Sequence, residues 1–471
     1  MPNDAANSPQ ETVERALSAS RTDGCVVIAD ESSTANLRWA GNTLTTNGVA
    51  ASRSLTVIAV SGPRAGVVTR AGVTPDQIED VVREAEKAAA DADPAEDAAR
   101  LVSAAGSDPR WAEPPARTGI GVLGGFAGQL GEVLRESQAA DRKLYGFAEH
   151  QLTSTFLGSS TGLRLRHDQP SGRLELNAKS GDLARSAWGG VSTRDFTDVN
   201  VAALADELAG RLEWQQRRIS LEAGRYETIL PPTAVADLMI YLYWTAGARD
   251  AAEGRTVFSQ PGGGTRIGDQ IASQPVTLLS DPAYPGLETA PFVVAHASGR
   301  DTSVFDNGLD IPAASWITAG ELSALHSSRF SSAKAGLPVT PAADNLVLRA
   351  SDPDVPDVPD EDTPSLDDMI ASTRYGLLLT CLWYIREVDP QTLLVTGLTR
   401  DGVYLIENGE VSGAVNNFRF NESPVGMLGR LAETGATRRT LPREWGDWFT
   451  RAAMPPLRIE GFNMSSVSQA S

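Results

Sequence analysis

The stretch from Arg374 to Pro424, RYGLLLTCLWYIREVDPQTLLVTGLTRDGVYLIENGEVSGAVNNFRFNESP, organises the reading of the chain. An apolar run from Leu377 to Ile385 opens it, Asp389-Pro390 signals a turn, and Leu393, Leu394 and Val395 are strand-type residues. Asp-Gly supplies the positive-φ positions of a tight hairpin, so Thr399-Arg400-Asp401-Gly402 is expected to turn the chain into a return strand from Val403 to Ile406. Glu407-Asn408-Gly409-Glu410 makes a second tight turn, into a third strand that starts at Val411. The expected product is an antiparallel meander. It ends in the polar segment Asn416, Asn417, Arg419, Asn421, Glu422 and Ser423, which is either a solvated loop or a surface for a ligand or partner. Arg400 carries a planar, bidentate fork suited to a carboxylate on a peptide or a partner. The plainer reading is that Arg400 and Asp401 close the hairpin.

The whole chain has 471 residues, too long for one ordinary core. Three segments are expected: an N-terminal α/β subdomain at 1–115, a middle α/β subdomain at 116–222, and a β-rich domain at 223–471. The fold class is therefore α+β. Within the first segment, Thr74-Pro75-Asp76 spells a helix start, with Thr as N-cap and Pro at the first helical position. Cys25 to Ala29, Ala35 to Trp39 and Ser54 to Val60 are candidate strands, separated by Asp-Glu-Ser-Ser and Asn-Gly turns. Residues 88–115 are rich in Ala, Asp and Pro and read as a flexible connection. Residues 198–218 read as a longer amphipathic helix. The third segment opens with a strand from Tyr226 to Leu230 and an apolar helix behind Thr233. The acidic, proline-rich stretch from Ser351 to Thr363 is too polar to pack and is expected to be an exposed loop.

The formal net charge of −19 argues against nucleic acid, whose phosphates call for a basic surface. No apolar run approaches a membrane span. The first residues, MPNDAANSPQETVERAL, lack a basic region followed by an apolar one, and both cysteines, Cys25 and Cys381, sit in apolar runs as buried thiols would. A cytoplasmic protein is the expectation.

The stretch GLTRDGVYLIENGEVSGAVNNFRFNESP resembles the C-terminal domain of the TldD/PmbA family, metallopeptidase-related proteins also called modulators of DNA gyrase. EAGRYETILPPTAVADL from Glu222 to Leu238, GRTVFS from Gly254, FDNG from Phe305 and RWAGNTLTTNG from Arg38 are similar to other parts of that family, so the resemblance spans nearly the whole chain. It implies an α/β N-terminal domain and a β-rich C-terminal domain.

Catalytic members of the family place a His-Glu-x-x-x-His segment on the first helix of the C-terminal domain and add a cysteine near the C-terminus. Counting back without gaps from Val257-Phe258-Ser259 puts those donors on Met239, Ile240 and Trp244. Residues 233–249 contain no His, Glu or Cys, and no cysteine follows Cys381. The chain thus resembles the metal-free subunit type, PmbA or TldE. The resemblance implies no catalytic residue and no metal in this chain, a zinc-bearing TldD-like paralogue as partner, and an unfolded or leader peptide as substrate. The alternative is a stand-alone enzyme or peptide-binding protein with changed chemistry, for instance in natural-product maturation. The candidate contact residues are Arg400, Asp401, Asn416, Asn417, Arg419, Asn421 and Glu422.

The remaining chemistry is sparse. His150, His167, His296 and His326 form no i, i+4 pair, and the adjacent Glu149-His150 and His167-Asp168 side chains diverge if they lie on strands. Gly158-Ser159-Ser160-Thr161-Gly162 matches the spelling of a nucleophile elbow, which requires a helix after it. Strand-like Leu163-Arg164-Leu165-Arg166 follows instead, so a turn between strands is expected. The glycines from Gly121 to Gly131 lack the Lys-Ser/Thr of a phosphate loop and read as loop or helix packing.

Overall fold

The computed structural model describes residues 7–103, 106–351, 360–400 and 402–468. The chain builds two layered halves. The first is a six-stranded antiparallel sheet of β1 (Gly24–Ala40), β2 (Thr43–Ser61), β3 (Arg64–Ala71), β4 (Arg142–Ser159), β5 (Arg164–Ser180) and β6 (Ser186–Thr193). Its order is β3-β2-β1-β4-β5-β6, so residues 1–115 and 116–222 contribute three strands each to one sheet. The turns expected inside β1 and β2 are absent: Asp30 to Ser33 pair with β2 and β4 on both sides, and Asn47-Gly48 pair with Asn36 and Leu37. A central strand with a partner on each side satisfies its backbone groups whatever its local turn propensity. Gly158 to Gly162 is indeed the turn joining β4 to β5.

Alternation along β1 separates two packed faces. Val27 and Ala29 face α1 (Pro9–Ala19) and α2 (Ile78–Asp91), against Val13, Val81, Val82 and Ala85. Val26 and Ile28 face the other way, onto Phe292, Val304 and Phe305 of the second half. α2 starts where its cap spelling places it, after a single 3-10 turn in which Thr74 and Gln77 form a capping box. Helices α3 (Gly124–Ala139) and α4 (Val201–Trp214) cover the β4 to β6 end through Phe126, Leu130, Leu204 and Leu208. The expected helix at 198–218 is shorter at both ends, with Asn200 as its cap. Residues 88–103 pack rather than hang free: Ala95, Leu101 and Val102 lie against the Val26 and Ile28 face.

The second half stacks two sheets about one buried helix, α5 (Pro232–Trp244). A six-stranded sheet holds Val276–Ser280, Ala314–Thr318 and Leu346–Ala350 among its strands. The larger sheet runs, edge to edge, Leu382–Asp389, Leu394–Thr399, Phe418–Glu422, Leu457–Val467, Gly224–Leu230, Tyr375–Leu379, Val403–Glu407, Glu410–Val415 and Arg218–Ile219, with Leu431–Thr434 paired to Leu457–Val467. One core joins Leu238, Met239 and Leu242 of α5 to Leu278 and Trp316 of the first sheet and to Leu405, Phe418 and Leu457 of the second.

This topology corrects the expected meander. Val403–Glu407 pairs with Tyr375–Leu379 and with Glu410–Val415, whereas Leu394–Thr399 pairs with Leu382–Asp389 and Phe418–Glu422. Leu394–Thr399 and Val403–Glu407 are therefore not hairpin partners, and the chain makes a crossover from one to the other between strands that are not neighbours. Gly402 serves it by close approach, since a Cβ there would collide with Thr380 Oγ1. The second turn is a hairpin, with Asn408 and Gly409 both at positive φ (53° and 86°). Residues 352–359 of the expected acidic loop lie outside the described residues. Among the described residues no helix is long and apolar enough to cross a membrane.

Candidate functional site

The crossover and the ends of the strands beside it form one wall of a cavity of about 630 Å³ between the two halves. Arg400, Asn416 and Asn417 line it. From the first half come Lys179, at the end of β5, and the β5–β6 hairpin residues Leu183, Ala184 and Ser186; Gln215 and Arg218 follow α4. Asn416 is held by its Oδ1, which accepts the backbone N–H of Leu221 at 2.8 Å, while its Nδ2 is buried without a partner. The Asn417 carbonyl accepts the backbone N–H of Ser468 at 2.8 Å. Gln215 bridges the halves, donating to Tyr404 Oη at 3.1 Å and to the Ser186 carbonyl at 2.7 Å. Asp401 lies outside the described residues.

The other three candidates separate from this cavity. The segment expected as a solvated loop or contact surface is largely the strand Phe418–Glu422. Arg419 is exposed on it and reaches Thr396 Oγ1 at 3.3 Å. Asn421 gives its carbonyl to Asn463 Nδ2 at 3.0 Å. Glu422 is buried, accepting from Arg430 at 2.6 Å and from the backbone N–H of Asn463 at 2.7 Å, so it holds strands together and contacts no solvent-borne ligand.

The positions matched to the family's metal donors lie on α5. Met239 and Ile240 are fully buried in the core. Trp244 packs edge-on against Trp445 at 5.2 Å and against Phe449 at 6.3 Å between ring centroids, and Tyr241 stacks on Trp445 from the same helix at 5.6 Å. The place is thus filled by aromatic rings drawn from α5 and from the segment after Leu441. This donor set does not fit a zinc ion, which needs converging imidazole, thiolate or carboxylate groups. Among the described residues no three His, Cys, Asp or Glu side chains converge to hold a metal.

One carboxyl does stand there, and the sequence reading passed over it. Asp237 is the sole charged residue of α5 and is fully buried. Burial pushes its pKa well above the usual carboxylate range and the nearby Glu444 charge adds to this, while backbone N–H groups of 443–445 pull it back. Its Oδ1 accepts the Glu444 N–H, its carbonyl accepts Trp445 Nε1–H at 2.8 Å, and Oδ2 has no partner. Glu444 accepts in turn from the Tyr384 and Ile385 backbone and from Arg386. A lone acid inside an apolar helical run was the available signal for this pair.

The histidines are engaged singly. His150 Nε2–H donates to the Arg194 carbonyl and Nδ1 accepts from Thr118, each at 2.7 Å. His167 meets Gln169 at 3.0 Å, while its neighbour Asp168 is taken by Arg166 and Ser154. His326 is buried with its Nε2–H on the Tyr243 carbonyl, and burial lowers its pKa to about 4. Ser159 of the Gly-x-Ser-x-Gly spelling bonds to Thr161 within its own turn.

Two stacked sheets around a buried helix, preceded by a helix-covered antiparallel sheet, define a two-part α+β architecture of the metallopeptidase-related kind. A model of the PmbA/TldA metallopeptidase C-terminal domain matches residues 223–466, and the chain belongs to the TldD/PmbA family. The same fold recurs in the crystal structure of TldE from Thermococcus kodakarensis, with a TM-score of 0.77 at 15% identity over 96% of this chain and 99% of that one. It recurs in candidate modulators of DNA gyrase from Bacteroides thetaiotaomicron (TM-score 0.72, 16% identity, 98% of each chain) and Thermotoga maritima (0.74, 14%, 96% and 99%). No curated protein matches the chain.

Proposed function

We propose that this chain is the metal-free, non-catalytic subunit of a peptidase complex, pairing with a zinc-bearing TldD-like paralogue that cleaves unfolded or leader peptides. The observation that supports this reading is the filling of α5: of the positions to which the ungapped count assigns the donors of catalytic relatives, Met239 and Ile240 are fully buried in the core, and the part-exposed Trp244 packs edge-on against Trp445 and Phe449. Thioether, alkyl and indole groups cannot supply the ligands or the carboxylate base that a zinc hydrolase uses. What the chain offers instead is surface, since a subunit without chemistry acts by shaping the chamber and holding the peptide. Likeness to TldE of Thermococcus kodakarensis supports this assignment.

The test is reconstitution. The purified chain is expected to carry well under one zinc per chain and to leave an unfolded polypeptide intact, while a mixture with a His-Glu-x-x-x-His paralogue cleaves it and a chelator stops the cleavage. Chelator-insensitive cleavage by the repurified chain alone overturns the reading. So does one zinc per chain that disappears in His296→Ala or His326→Ala.

A further inference from the structure

Three cations from three separate elements line the cavity between the halves: Lys179 from β5, whose Nζ lies over the Tyr145 ring, Arg218 from the edge strand of the large sheet, which donates to the Ala184 carbonyl at 2.8 Å, and Arg400 from the crossover. No Asp or Glu is among the described lining residues, in a chain that carries 60 acids against 41 bases. Asp182, in the hairpin that supplies Leu183 and Ala184 to the wall, is engaged within its own turn, accepting from Ser180 Oγ at 2.5 Å and from the Ala184 N–H at 3.0 Å. Gln215, Asn416 and Asn417 add amides beside apolar residues such as Leu183, Val403 and Val415, and Asn416 keeps one buried donor without an acceptor.

We propose that this cavity binds the carboxylate of a peptide. A guanidinium such as that of Arg400 presents a fixed pair of donors that matches a carboxylate, and Lys179 adds a point charge to the same lining. Volume separates a peptide from an inorganic anion: about 630 Å³ is in the range of sites for small organic ligands, and a lone phosphate leaves most of it unfilled. The wall also includes Arg218–Ile219, the outermost strand of its sheet, the kind of edge along which an extended chain can lie. The cavity shares no lining residue with α5 or with residues 441–449, so it is a separate site from the place of the missing donors.

The experiment uses the full chain alone and reads fluorescence anisotropy of three fluorescein-labelled hexapeptides of glycine, serine and alanine. One has a free C-terminal carboxylate, one is amidated, and one is amidated but carries a single internal glutamate. At least one carboxylate-bearing probe is expected to bind tenfold or more tightly than the neutral one, and which of the two does so identifies the source of the carboxylate. Arg400→Gln is expected to remove most of that difference at an unchanged melting temperature, with Arg400→Lys intermediate. Lys179→Gln is the second variant should Arg400→Gln fail to fold. Equal binding of all three probes, no binding at all, full affinity in folded Arg400→Gln, or displacement of the peptide by inorganic phosphate each overturns the proposal. The measurement needs no paralogue, so its failure leaves the subunit assignment standing, and failed reconstitution leaves this site standing.

Discussion

The Oδ1 atom of Asp237 accepts the backbone N–H of Glu444 at 2.8 Å, tying the buried helix α5 to the aromatic segment that follows Leu441. The bond spans 207 residues of sequence and, with the Trp445 Nε1–H on the Asp237 carbonyl and Thr233 on the Leu441 carbonyl, fastens a largely apolar contact. Because Asp237 is completely buried and its pKa is raised, the carboxyl stays protonated in the folded state well above the pH at which it ionises in the unfolded chain. The folded state then binds the extra proton, so this group's contribution is complete below the unfolded pKa of about 3.9 and is lost as pH rises towards the folded value. Asp237→Asn keeps an acceptor and removes the titration. It is expected to melt higher than the parent at pH 8 and to flatten the rise in stability on acidification, as read by thermal unfolding from pH 4 to 8. Asp237→Ala leaves the Glu444 N–H unpaired and is expected to cost about 1–3 kcal/mol.

His326 works in the opposite direction. Its pKa is lowered to about 4 by burial, against an unfolded value of about 6.5. The unfolded chain takes up the proton first, so the stability from neutral His326 is present above pH 6.5 and is lost as pH falls towards 4. The loss amounts to about 3 kcal/mol at its limit. His326→Gln can still donate to the Tyr243 carbonyl and does not titrate. Its unfolding free energy is expected to fall less between pH 6.5 and 4.5 than that of the parent; an identical decline would assign the acid sensitivity to other groups.

Gly402 marks the crossover. An added Cβ would collide with Thr380 Oγ1 and stand 3.1 Å from the Cys381 backbone nitrogen, and the Gly402 carbonyl accepts the Thr380 N–H at 2.7 Å. Overpacking of this kind costs about 1–3 kcal/mol. Gly402→Ala should therefore lower the denaturation midpoint clearly, whereas Gly210→Ala, with open space around its Cβ position on α4, should not.

Arg419 and Glu422 separate a surface role from a structural one along a single strand. Glu422→Ala removes the acceptor of the Asn463 N–H and the carboxylate partner of Arg430, which keeps only its carbonyl acceptors, an expected loss of about 1–3 kcal/mol by denaturant titration. Arg419→Ala exposes nothing buried and is expected to leave the melting temperature nearly unchanged. If that face meets the paralogue or the peptide, the same change weakens pairing or cleavage by roughly tenfold; normal assembly and activity remove Arg419 from the functional surface.

Local chemistry was legible wherever a few neighbouring residues decide the outcome. Thr74-Pro75-Asp76 spelled a capped start, and Asn408-Gly409 made its hairpin. The family was legible too, because its motifs run along the chain in order. What local spelling could not reach was strand partnership. Asp401-Gly402 reads as a hairpin turn, yet Leu394–Thr399 takes Phe418–Glu422 as its neighbour, since pairing is settled by which apolar faces can share the core around α5. Likewise Asp30 to Ser33 is polar enough for a turn but is carried as strand by partners on both sides. The cationic cavity belongs wholly to this second kind of information. Lys179, Arg218 and Arg400 are spread over more than two hundred residues of sequence, and only the docking of β5 and α4 beside the crossover brings their charges to one place.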